Sequence, residues 1–271
     1  MTYKALTIAG SDSGGGAGIQ ADLKTFQELD VFGMSAITAV TAQNTLGVQG
    51  VYPLPVEAIV QQIQSVGSDI GTDAVKTGML FSSEIIAAVA EQIRRFGWKN
   101  IVVDPVMIAK GGAPLLQEEA VQALKEHLLP LAAVITPNIP EAEVLTGMQI
   151  ESPADKQEAA RRLFDTGVRH VVIKGGHDEG SQASDLLYDG QHFQYFTSDR
   201  LPTKNTHGTG CTFAAAVTAE LAKGKTAAEA VQTAKDFIQA AIADDLQIGG
   251  GHGPTNHWAY GRRQAVLGGK A

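Results

Sequence analysis

The fold is decided by residues 74–104, which read AVKTGMLFSSEIIAAVAEQIRRFGWKNIVVD. This stretch predicts an apolar strand at 74–79, an amphipathic helix at 84–96, and a second strand at 101–104 that stops at Pro105. Two strands joined by a helix of this length are typical of a parallel pair, because the chain must return along the sheet before the second strand can begin. The stretch therefore predicts one strand–helix–strand unit of an α/β protein.

The same alternation extends in both directions along the chain. Further strands are predicted at 4–9, 35–42, 133–136 and 171–174, with helices at 19–29, 56–66, 118–129, 156–166, 212–222 and 227–244. The pattern predicts a three-layer α/β fold, in which a mostly parallel central sheet has helices on both faces. Ligands are expected at the carboxyl ends of its strands.

The rhythm changes after residue 174, where Asp189-Gly190 separates two apolar runs and predicts an antiparallel hairpin at the sheet edge. Residues 250–257 are expected to be a loop. With 271 residues, of which 44% are hydrophobic, the chain can bury the core of a single domain. We expect that domain to span 1–271, with a core at about 4–257 and a disordered tail at 258–271.

Composition narrows the class of protein. The net charge of −8, with no cluster of basic residues, argues against nucleic acid as a partner. No apolar run approaches the ~18 residues of a membrane span, and the N-terminus does not resemble a signal peptide. A single cysteine can form no internal disulfide, which is consistent with a cytoplasmic protein.

A glycine loop runs directly into a small-residue helix at residues 207–216, HGTGCTFAAA. Backbone amides of Gly208, Thr209 and Gly210, together with the positive end of the helix dipole, are suited to binding an anion or stabilising the charge of a transition state. Cys211, at this helix N-terminus, is expected to have a lowered pKa and to act as a base or nucleophile. The alternative is that Cys211 is a small buried hydrophobe.

Four polar residues follow apolar strands: Asp104, Asn138, Glu141 and Lys174. The two carboxylates could hold Mg²⁺ beside nucleotide phosphates, and Lys174 could neutralise phosphate charge. Singly, each residue has a structural alternative, because Asp104 could close a turn, Asn138 and Glu141 could cap a helix after Pro140, and Lys174 could be a solvated strand end. Together with the amide loop they predict a phosphotransferase.

Other types of functional site have less support in the sequence. The glycine loop at 10–18 matches neither the Walker nor the dinucleotide fingerprint, so a tight turn is the default interpretation. Loops 10–18 and 105–113 contain glycines and are candidates to cover the site. A serine hydrolase motif is not matched, because Asp12 stands at its centre. Zinc would require convergence of residues that show no paired ligand spacing, namely His207, Cys211, His252 and His257.

A series of motifs makes the chain resemble a known family. They are AGSDS at 9–13, GAGIQAD at 16–22, KTGM at 76–79, VDPVM at 103–107, TPN at 136–138, EA at 141–142 and HGTGC at 207–211. In this order, over about residues 4–257, they resemble the hydroxymethylpyrimidine and hydroxymethylpyrimidine-phosphate kinases of thiamine biosynthesis. These kinases belong to the ribokinase-like superfamily, so the resemblance implies that fold.

The resemblance implies ATP-dependent phosphorylation of 4-amino-5-hydroxymethyl-2-methylpyrimidine, and of its monophosphate to the diphosphate. Gln43 is implied as the ring-binding residue, which agrees with the ability of an amide to donate and accept at an aminopyrimidine edge. The rest of the ring pocket is implied to comprise Asp22, Gly10, Met79 and Val106.

The resemblance further implies that Asp104 and Glu141 hold Mg²⁺, that Asn138 and Lys174 bind nucleotide phosphates, and that residues 208–211 form the anion hole. A homodimer is implied as well. Cys211 stands where sugar kinases of this fold have an aspartate base. Two alternatives stay open: a pyridoxine or pyridoxal kinase, which shares several of these motifs, and a non-catalytic ligand-binding regulator with the same fold.

Overall fold

The computed structural model describes residues 2–107, 118–175 and 180–268. Within these ranges the strands are β1 Lys4–Asp12, β2 Phe32–Asn44, β3 Gly47–Pro53, β4 Ala74–Thr77, β5 Ile101–Val103, β6 Val134–Ile135, β7 Val171–Ile173, β8 Gln182–Tyr188 and β9 Phe193–Asp199. The α-helices are α1 Gly18–Glu28, α2 Val56–Asp69, α3 Ser83–Phe96, α4 Glu118–Ala123, α5 Ile139–Thr146, α6 Pro153–Phe164, α7 Thr209–Ala222, α8 Ala227–Ala243 and α9 Trp258–Gly268.

The strands form one nine-stranded sheet in the order β3-β2-β1-β4-β5-β6-β7-β8-β9. The six strands from β2 to β7 in this order are parallel, whereas β3 and the β8–β9 hairpin are antiparallel. The mostly parallel sheet and the edge hairpin are therefore confirmed. The antiparallel strand β3 at the other edge was not predicted, because its sequence, GVQGVYP, has two glycines and little apolar alternation.

Alternating strand residues build two separate cores. In β5, Ile101 and Val103 pack on the face covered by α2 to α6, whereas Val102 packs on the face covered by α1, α7 and α8. The period of two arises because successive side chains of a strand point to opposite faces of the sheet. The result is the predicted three-layer, ribokinase-like fold.

Helix α7 is buried from Thr212 to Ala222. Its run of alanines lets the helix lie close to the sheet and to α1 and α8. The residue that precedes it, Gly208, has a φ of 85°, in the left-handed region that favours glycine. The buried helix thus has a fixed N-terminus at the carboxyl ends of the strands.

The tail differs from the prediction of disorder, since helix α9 begins at Trp258. Ala259 is buried, and the ring of Tyr260 stacks on Phe237 of α8 with centroids 5.2 Å apart. This apolar contact stabilises the helix, so the predicted disorder is wrong at 258–268. The helix predicted at 118–129 continues from α4 through a π-helical turn, Leu124–Leu128, and a 3₁₀ turn, Leu129–Leu131.

Most of the loop at 105–113, a candidate to cover the site, lies outside the described residues. Among the helices in the described ranges, none is long and apolar enough to cross a membrane.

Candidate active site

A cavity of about 860 Å³ opens where the parallel strands end and α7 begins. It continues past Leu201 toward Ile238 and Ile242 of α8. With one exception, Asp22, the structure brings the predicted site residues together on its wall. They are Gly10, Gln43, Met79, Asp104, Val106, Asn138, Glu141, Lys174, Gly208, Thr209, Gly210 and Cys211. Their individual roles stay predictions.

The start of α7 presents amides to this cavity. The amide of Thr212 donates to the carbonyl of Gly208 at 2.9 Å and closes the first helical turn. The amides of Gly210 and Cys211 lie within that turn, where no carbonyl one turn earlier is available to a helix. A β-carbon on Gly210 would lie 3.4 Å from Nζ of Lys174, so this turn lies beside the ammonium group of Lys174. This arrangement can bind an anion.

Lys174 and Asp104 form an ion pair at the ends of β7 and β5. Nζ of Lys174 lies 3.1 Å from Oδ1 of Asp104, which also accepts a hydrogen bond from Thr136 at 3.2 Å. Burial disfavours the ammonium ion, but the negative charges of Asp104 and Glu141 outweigh it and raise the pKa of Lys174. Lys174 is therefore a mostly buried, permanently charged cation and not a solvated strand end.

Asn138 and Glu141 form a capping box at the start of α5. The amide of Glu141 donates to Asn138 at 2.9 Å, and the amide of Asn138 donates to Glu141 at 2.8 Å. Burial raises the pKa of Glu141 to about 7; Lys174 opposes this shift, Asp104 adds to it, and the amides of Asn138 and Met107 oppose it. The capping interpretation is thus correct, and the same two residues also line the cavity.

The donor set fits Mg²⁺. Asp104 and Glu141 line one cavity and their charges interact. Mg²⁺ in nucleotide sites is held by one or two carboxylates, with phosphate and water supplying the other oxygens. Across the described parts of the chain, no group of three or more His, Cys, Asp or Glu residues could hold a metal on its own. The residues present therefore match a metal shared with phosphate and give no support to zinc.

Cys211 lines the cavity but is otherwise surrounded by protein. Burial raises the pKa of its thiol to about 11; the ammonium of Lys76 opposes this rise, the charges of Asp22 and Asp104 add to it, and a hydrogen bond from the amide of Gly18 opposes it. The predicted lowering of this pKa is wrong for this structure, because burial outweighs the charge of Lys76 and the amide of Gly18. At neutral pH the thiol keeps its proton.

Asp22 and Lys76 form a fully buried ion pair, in which Lys76 belongs to the cavity wall and Asp22 lies behind it. Nζ of Lys76 lies 2.9 Å from each carboxylate oxygen of Asp22, and Thr7 donates to Asp22 at 2.7 Å. Burial disfavours the ammonium ion, but the negative charge of Asp22 raises the pKa of Lys76. The side chain of Asp22 does not reach the cavity, so its predicted contact with the ring is wrong: its carboxylate is used to hold Lys76.

Sequence reasoning gave Lys76 no role, although it lines the cavity. The sequence contains a signal for it, because Lys76 lies within a short predicted strand directly after the apolar residues Ala74 and Val75. A lysine at such a position needs a buried anionic partner. Its partner, Asp22, is distant in the sequence, which hid the pair.

Apart from Asp22, the residues of the predicted ring pocket form a further part of the cavity wall. Met79 packs against Ala39, with Val51 and Val106 beside them. A β-carbon on Gly10 would overlap the methyl group of Met79, so glycine is needed for the thioether to lie against the backbone. These residues form an apolar surface next to the polar side chain of Gln43.

The first glycine loop is held by its own aspartate. The carboxylate of Asp12 accepts hydrogen bonds from the amides of Gly14, Gly16 and Ala17 at 2.8, 3.0 and 2.8 Å. It also lies 2.8 Å from Nε2 of His207, next to the anion loop. These three amides are occupied within the protein, in agreement with the tight-turn interpretation. The sequence did not reveal the Asp12–His207 contact, which spans 195 residues.

Fold and site together define a class, the small-molecule phosphotransferases of ribokinase-like fold. Within that class, the chain belongs to the phosphomethylpyrimidine kinase family, whose family model matches residues 12–256. The hydroxymethylpyrimidine/phosphomethylpyrimidine kinase of Bacillus subtilis strain 168 is 60% identical over 261 residues, 96% of each chain. The kinase of the same name from Haemophilus influenzae is 59% identical, and the match covers 95% of this chain and 97% of that one.

Among solved structures, the chain is similar to an ADP complex of Bacillus subtilis pyridoxal kinase. The TM-score is 0.89 at 48% sequence identity, and the match covers 96% of this chain and 98% of that one. The chain is accordingly a kinase, and the family is the one that its motifs resemble.

Proposed function

We propose that this protein uses ATP to phosphorylate 4-amino-5-hydroxymethyl-2-methylpyrimidine, and then phosphorylates the monophosphate to the diphosphate, in thiamine biosynthesis. One observation carries the proposal: Gln43, whose amide can pair with an aminopyrimidine edge, lies 3.4 Å from His207, the residue next to the anion loop. A ring held by Gln43 therefore has its substituents close to the amides that begin α7. Relatives about 60% identical carry this activity in their names.

The site residues supply positioning and charge. Gln43 and Met79 hold the ring, and the amides of Gly210 and Cys211 stabilise negative charge that develops on the transferred phosphoryl group. Lys174 contributes a permanent positive charge beside those amides, and Asn138 lies at the nucleotide phosphates. Phosphoryl transfer depends chiefly on such positioning and charge stabilisation.

Mg²⁺ belongs to this proposal with Asp104 and Glu141 as its protein ligands. When bound, it would offset the negative charge of the nucleotide phosphates. In the metal-free site Glu141 has a pKa of about 7, so Mg²⁺ would compete with a proton for its carboxylate near neutral pH.

Cys211 is the proposed acceptor of the alcohol proton. With a pKa of about 11, the thiol first releases its own proton to water in the cavity, and the ammonium of Lys76 favours the thiolate that then takes the alcohol proton. The amides and Lys174 stabilise the phosphoryl group whether or not the thiol ionises. The contributions of the thiol and of the anion hole are therefore separable by mutation.

A coupled ADP-release assay tests the proposal. The protein is given Mg²⁺, ATP and, in separate reactions, the hydroxymethylpyrimidine, its monophosphate, pyridoxine and pyridoxal. We expect both pyrimidines to be turned over, with a kcat/KM higher than for either pyridine. A higher kcat/KM for a pyridine would overturn the proposal.

The pyridoxine or pyridoxal kinase is the second candidate, and the structural similarity to a pyridoxal kinase favours it. The higher identity to pyrimidine kinases and the amide of Gln43 favour the pyrimidine. No observation favours a non-catalytic regulator, because Lys174, Asp104 and the anion loop are all in place in one cavity.

We also propose a cytoplasmic homodimer joined through the β2–β3 edge. Val40 and Tyr52 are paired across these strands and are 43% and 64% exposed, and Leu46 in the connecting turn is 74% exposed. Exposed large apolar side chains along one sheet edge are typical of an interface. Sedimentation velocity should give a dimer, and Tyr52→Ser should shift it toward monomer; a wild-type monomer at micromolar concentration contradicts this proposal.

A further inference from the structure

We infer that His207 and Thr41 fix the direction of the Gln43 side-chain amide, and that this direction decides which ring is accepted and how it is oriented. The inference rests on the proposed function. It concerns positioning residues, because neither His207 nor Thr41 needs to touch the reacting atoms. Asp12 contributes to the same arrangement, because its carboxylate contacts the ring of His207.

Gln43 has two polar neighbours, one at each end of its amide. In the structure, Oε1 of Gln43 lies 3.1 Å from Oγ1 of Thr41, and Nε2 of Gln43 lies 3.4 Å from Nε2 of His207. Oxygen and nitrogen of a side-chain amide have nearly the same shape, so the heavy-atom positions alone leave two orientations open. The hydrogen-bond capacity of the neighbours decides between them.

Thr41 determines one end of the amide. Its hydroxyl lies 2.8 Å from the carbonyl oxygen of Ser11, which can only accept a hydrogen bond. The single hydroxyl proton is therefore used on Ser11, and the oxygen of Thr41 is left as an acceptor. The amide atom of Gln43 that faces it must be the NH₂ group.

His207 determines the other end. Its Nε2 lies 2.8 Å from Oδ2 of Asp12, and the pKa of Asp12 is lowered: burial would raise it, but hydrogen bonds from His207 and from loop amides outweigh that effect. An ionised carboxylate can only accept, so Nε2 of His207 carries a proton. A protonated Nε2 cannot accept a hydrogen bond, so it gives the NH₂ group of Gln43 no partner, whereas the carbonyl oxygen can share its proton with Asp12. The atom of Gln43 near His207 is therefore assigned as the carbonyl oxygen. Thr41 and His207 thus independently assign the same orientation, with the NH₂ group toward Thr41 and the oxygen toward His207.

This orientation leaves one N–H and one oxygen lone pair of Gln43 for the ligand, in a set order. The amide oxygen, on the His207 side, accepts from the 4-amino group of the pyrimidine, and the NH₂ group, on the Thr41 side, donates to the adjacent ring nitrogen. The hydroxymethyl group is on the carbon next to the amino-bearing carbon, away from that nitrogen. It is consequently directed to the His207 side, where residues 208–211 form the anion loop.

The same order discriminates against a pyridine. In pyridoxine, the phenolic hydroxyl could donate to the amide oxygen, but its neighbour on one side is a carbon bearing a methyl group and on the other a carbon bearing a hydroxymethyl group. The N–H of Gln43 would then have no ring nitrogen to donate to, only the oxygen of a freely rotating hydroxymethyl group. We expect this poorer match to cost about a tenfold factor in kcat/KM.

The test compares substrate preference in three variants. His207→Phe removes the donor, and Thr41→Val removes the acceptor. Ser13→Ala is the matched control, because Ser13 contacts the backbone amide and carbonyl of Gln43, each at 2.8 Å, and not its side-chain amide.

We expect the ratio of kcat/KM for the hydroxymethylpyrimidine to that for pyridoxine to fall about tenfold in His207→Phe and in Thr41→Val, and to stay within about twofold of wild type in Ser13→Ala. A purely structural role would lower kcat/KM for both substrates together and leave the ratio unchanged. An unchanged ratio in both variants overturns the inference.

A second measurement does not depend on activity. Long-range ¹H–¹⁵N spectra of the wild-type protein, with His207 assigned by comparison with His207→Phe, should show Nε2 protonated at pH 7.5. A ring protonated only at Nδ1 contradicts the inference. If the tautomer is as expected but no pyrimidine is phosphorylated, the proposed function fails while the hydrogen-bond assignment stands.

Discussion

Cys211 lies among three charged side chains that act on its thiol in opposite directions. Lys76 favours the thiolate, whereas Asp22 and Asp104 disfavour it, and burial raises the pKa to about 11. A helix N-terminus alone suggests a reactive cysteine, and that was the expectation from sequence. The pKa of this thiol depends on the distance of each charge from the sulfur, and those distances are determined by the fold.

Replacing Cys211 with alanine separates proton acceptance from the anion hole. We expect kcat to fall about 100-fold or more, because general-base catalysis contributes about this much, while KM for the pyrimidine changes little. Cys211→Asp should recover part of the loss, since aspartate can accept the proton. Steady-state kinetics of the three proteins is the measurement, and nearly full turnover by Cys211→Ala would remove the thiol from the chemistry.

The buried ion pair of Lys76 and Asp22 leads to a prediction about stability. Lys76→Met leaves Asp22 without its partner and should lower the free energy of unfolding by about 3–5 kcal/mol. The double variant Lys76→Met/Asp22→Asn should be more stable than the single variant, because no unpaired charge is then buried. Urea denaturation gives both values. Equal stability of the single variant and wild type would show that the pair is not energetically coupled.

Helix α7 contributes its first turn to the wall of the active-site cavity. The sequence predicts a small-residue helix from its alanines and an amide-presenting loop from its glycines. What the sequence could not show is that the first glycine loop packs against it. A β-carbon on Gly208 would overlap the carbonyl group of Gly16. The two glycine loops therefore occupy space that only residues without side chains can share.

Gly208→Ala should reduce kcat/KM at least about 100-fold, because the added methyl group displaces the amides of the anion hole. Gly224→Ala is the matched control: Gly224 also has a left-handed backbone, with φ of 81°, but a β-carbon there meets nothing within 4 Å. It should cost about 1 kcal/mol of stability and leave kinetics unchanged. Similar kinetic losses in both variants would indicate backbone strain and not the anion hole.

At the scale of the molecule, the C-terminal segment supports the site. Nε2 of His257 lies 3.0 Å from the hydroxyl of Thr212, in the first turn of α7, and His257 is buried. Burial lowers the pKa of His257 to about 4; the positive charge of Lys24 also lowers it, and a hydrogen bond with the backbone of Thr255 opposes the shift. The folded protein thus holds this ring neutral.

This neutral histidine predicts a dependence of stability on pH. Between pH of about 6.5 and about 4, the unfolded chain binds a proton at His257 that the folded protein does not, so stability falls as the pH falls through this window. His257→Gln should lose less stability than wild type between pH 7 and pH 5. Thermal unfolding at both values measures this, and identical losses would assign the pH dependence to other groups.

Sequence reasoning succeeded where the signal was local. The strand–helix alternation and the Asp189-Gly190 turn depend on neighbouring residues, and they gave the sheet, its layers and the edge hairpin. The cavity wall was also largely foreseen, since strand ends of a parallel sheet must converge. Lys76 with Asp22 and Asp12 with His207 were missed, because each pair joins distant parts of the chain and depends on three-dimensional register.

The identity of the product shows directly whether the protein phosphorylates the hydroxymethylpyrimidine twice. The protein is incubated with ATP, Mg²⁺ and the hydroxymethylpyrimidine, and the reaction is followed by ³¹P NMR. We predict that a phosphomonoester signal appears first and that the signals of a diphosphate ester then replace it, while ADP accumulates. Accumulation of no phosphorylated pyrimidine, with pyridoxine phosphorylated under the same conditions, would contradict the account.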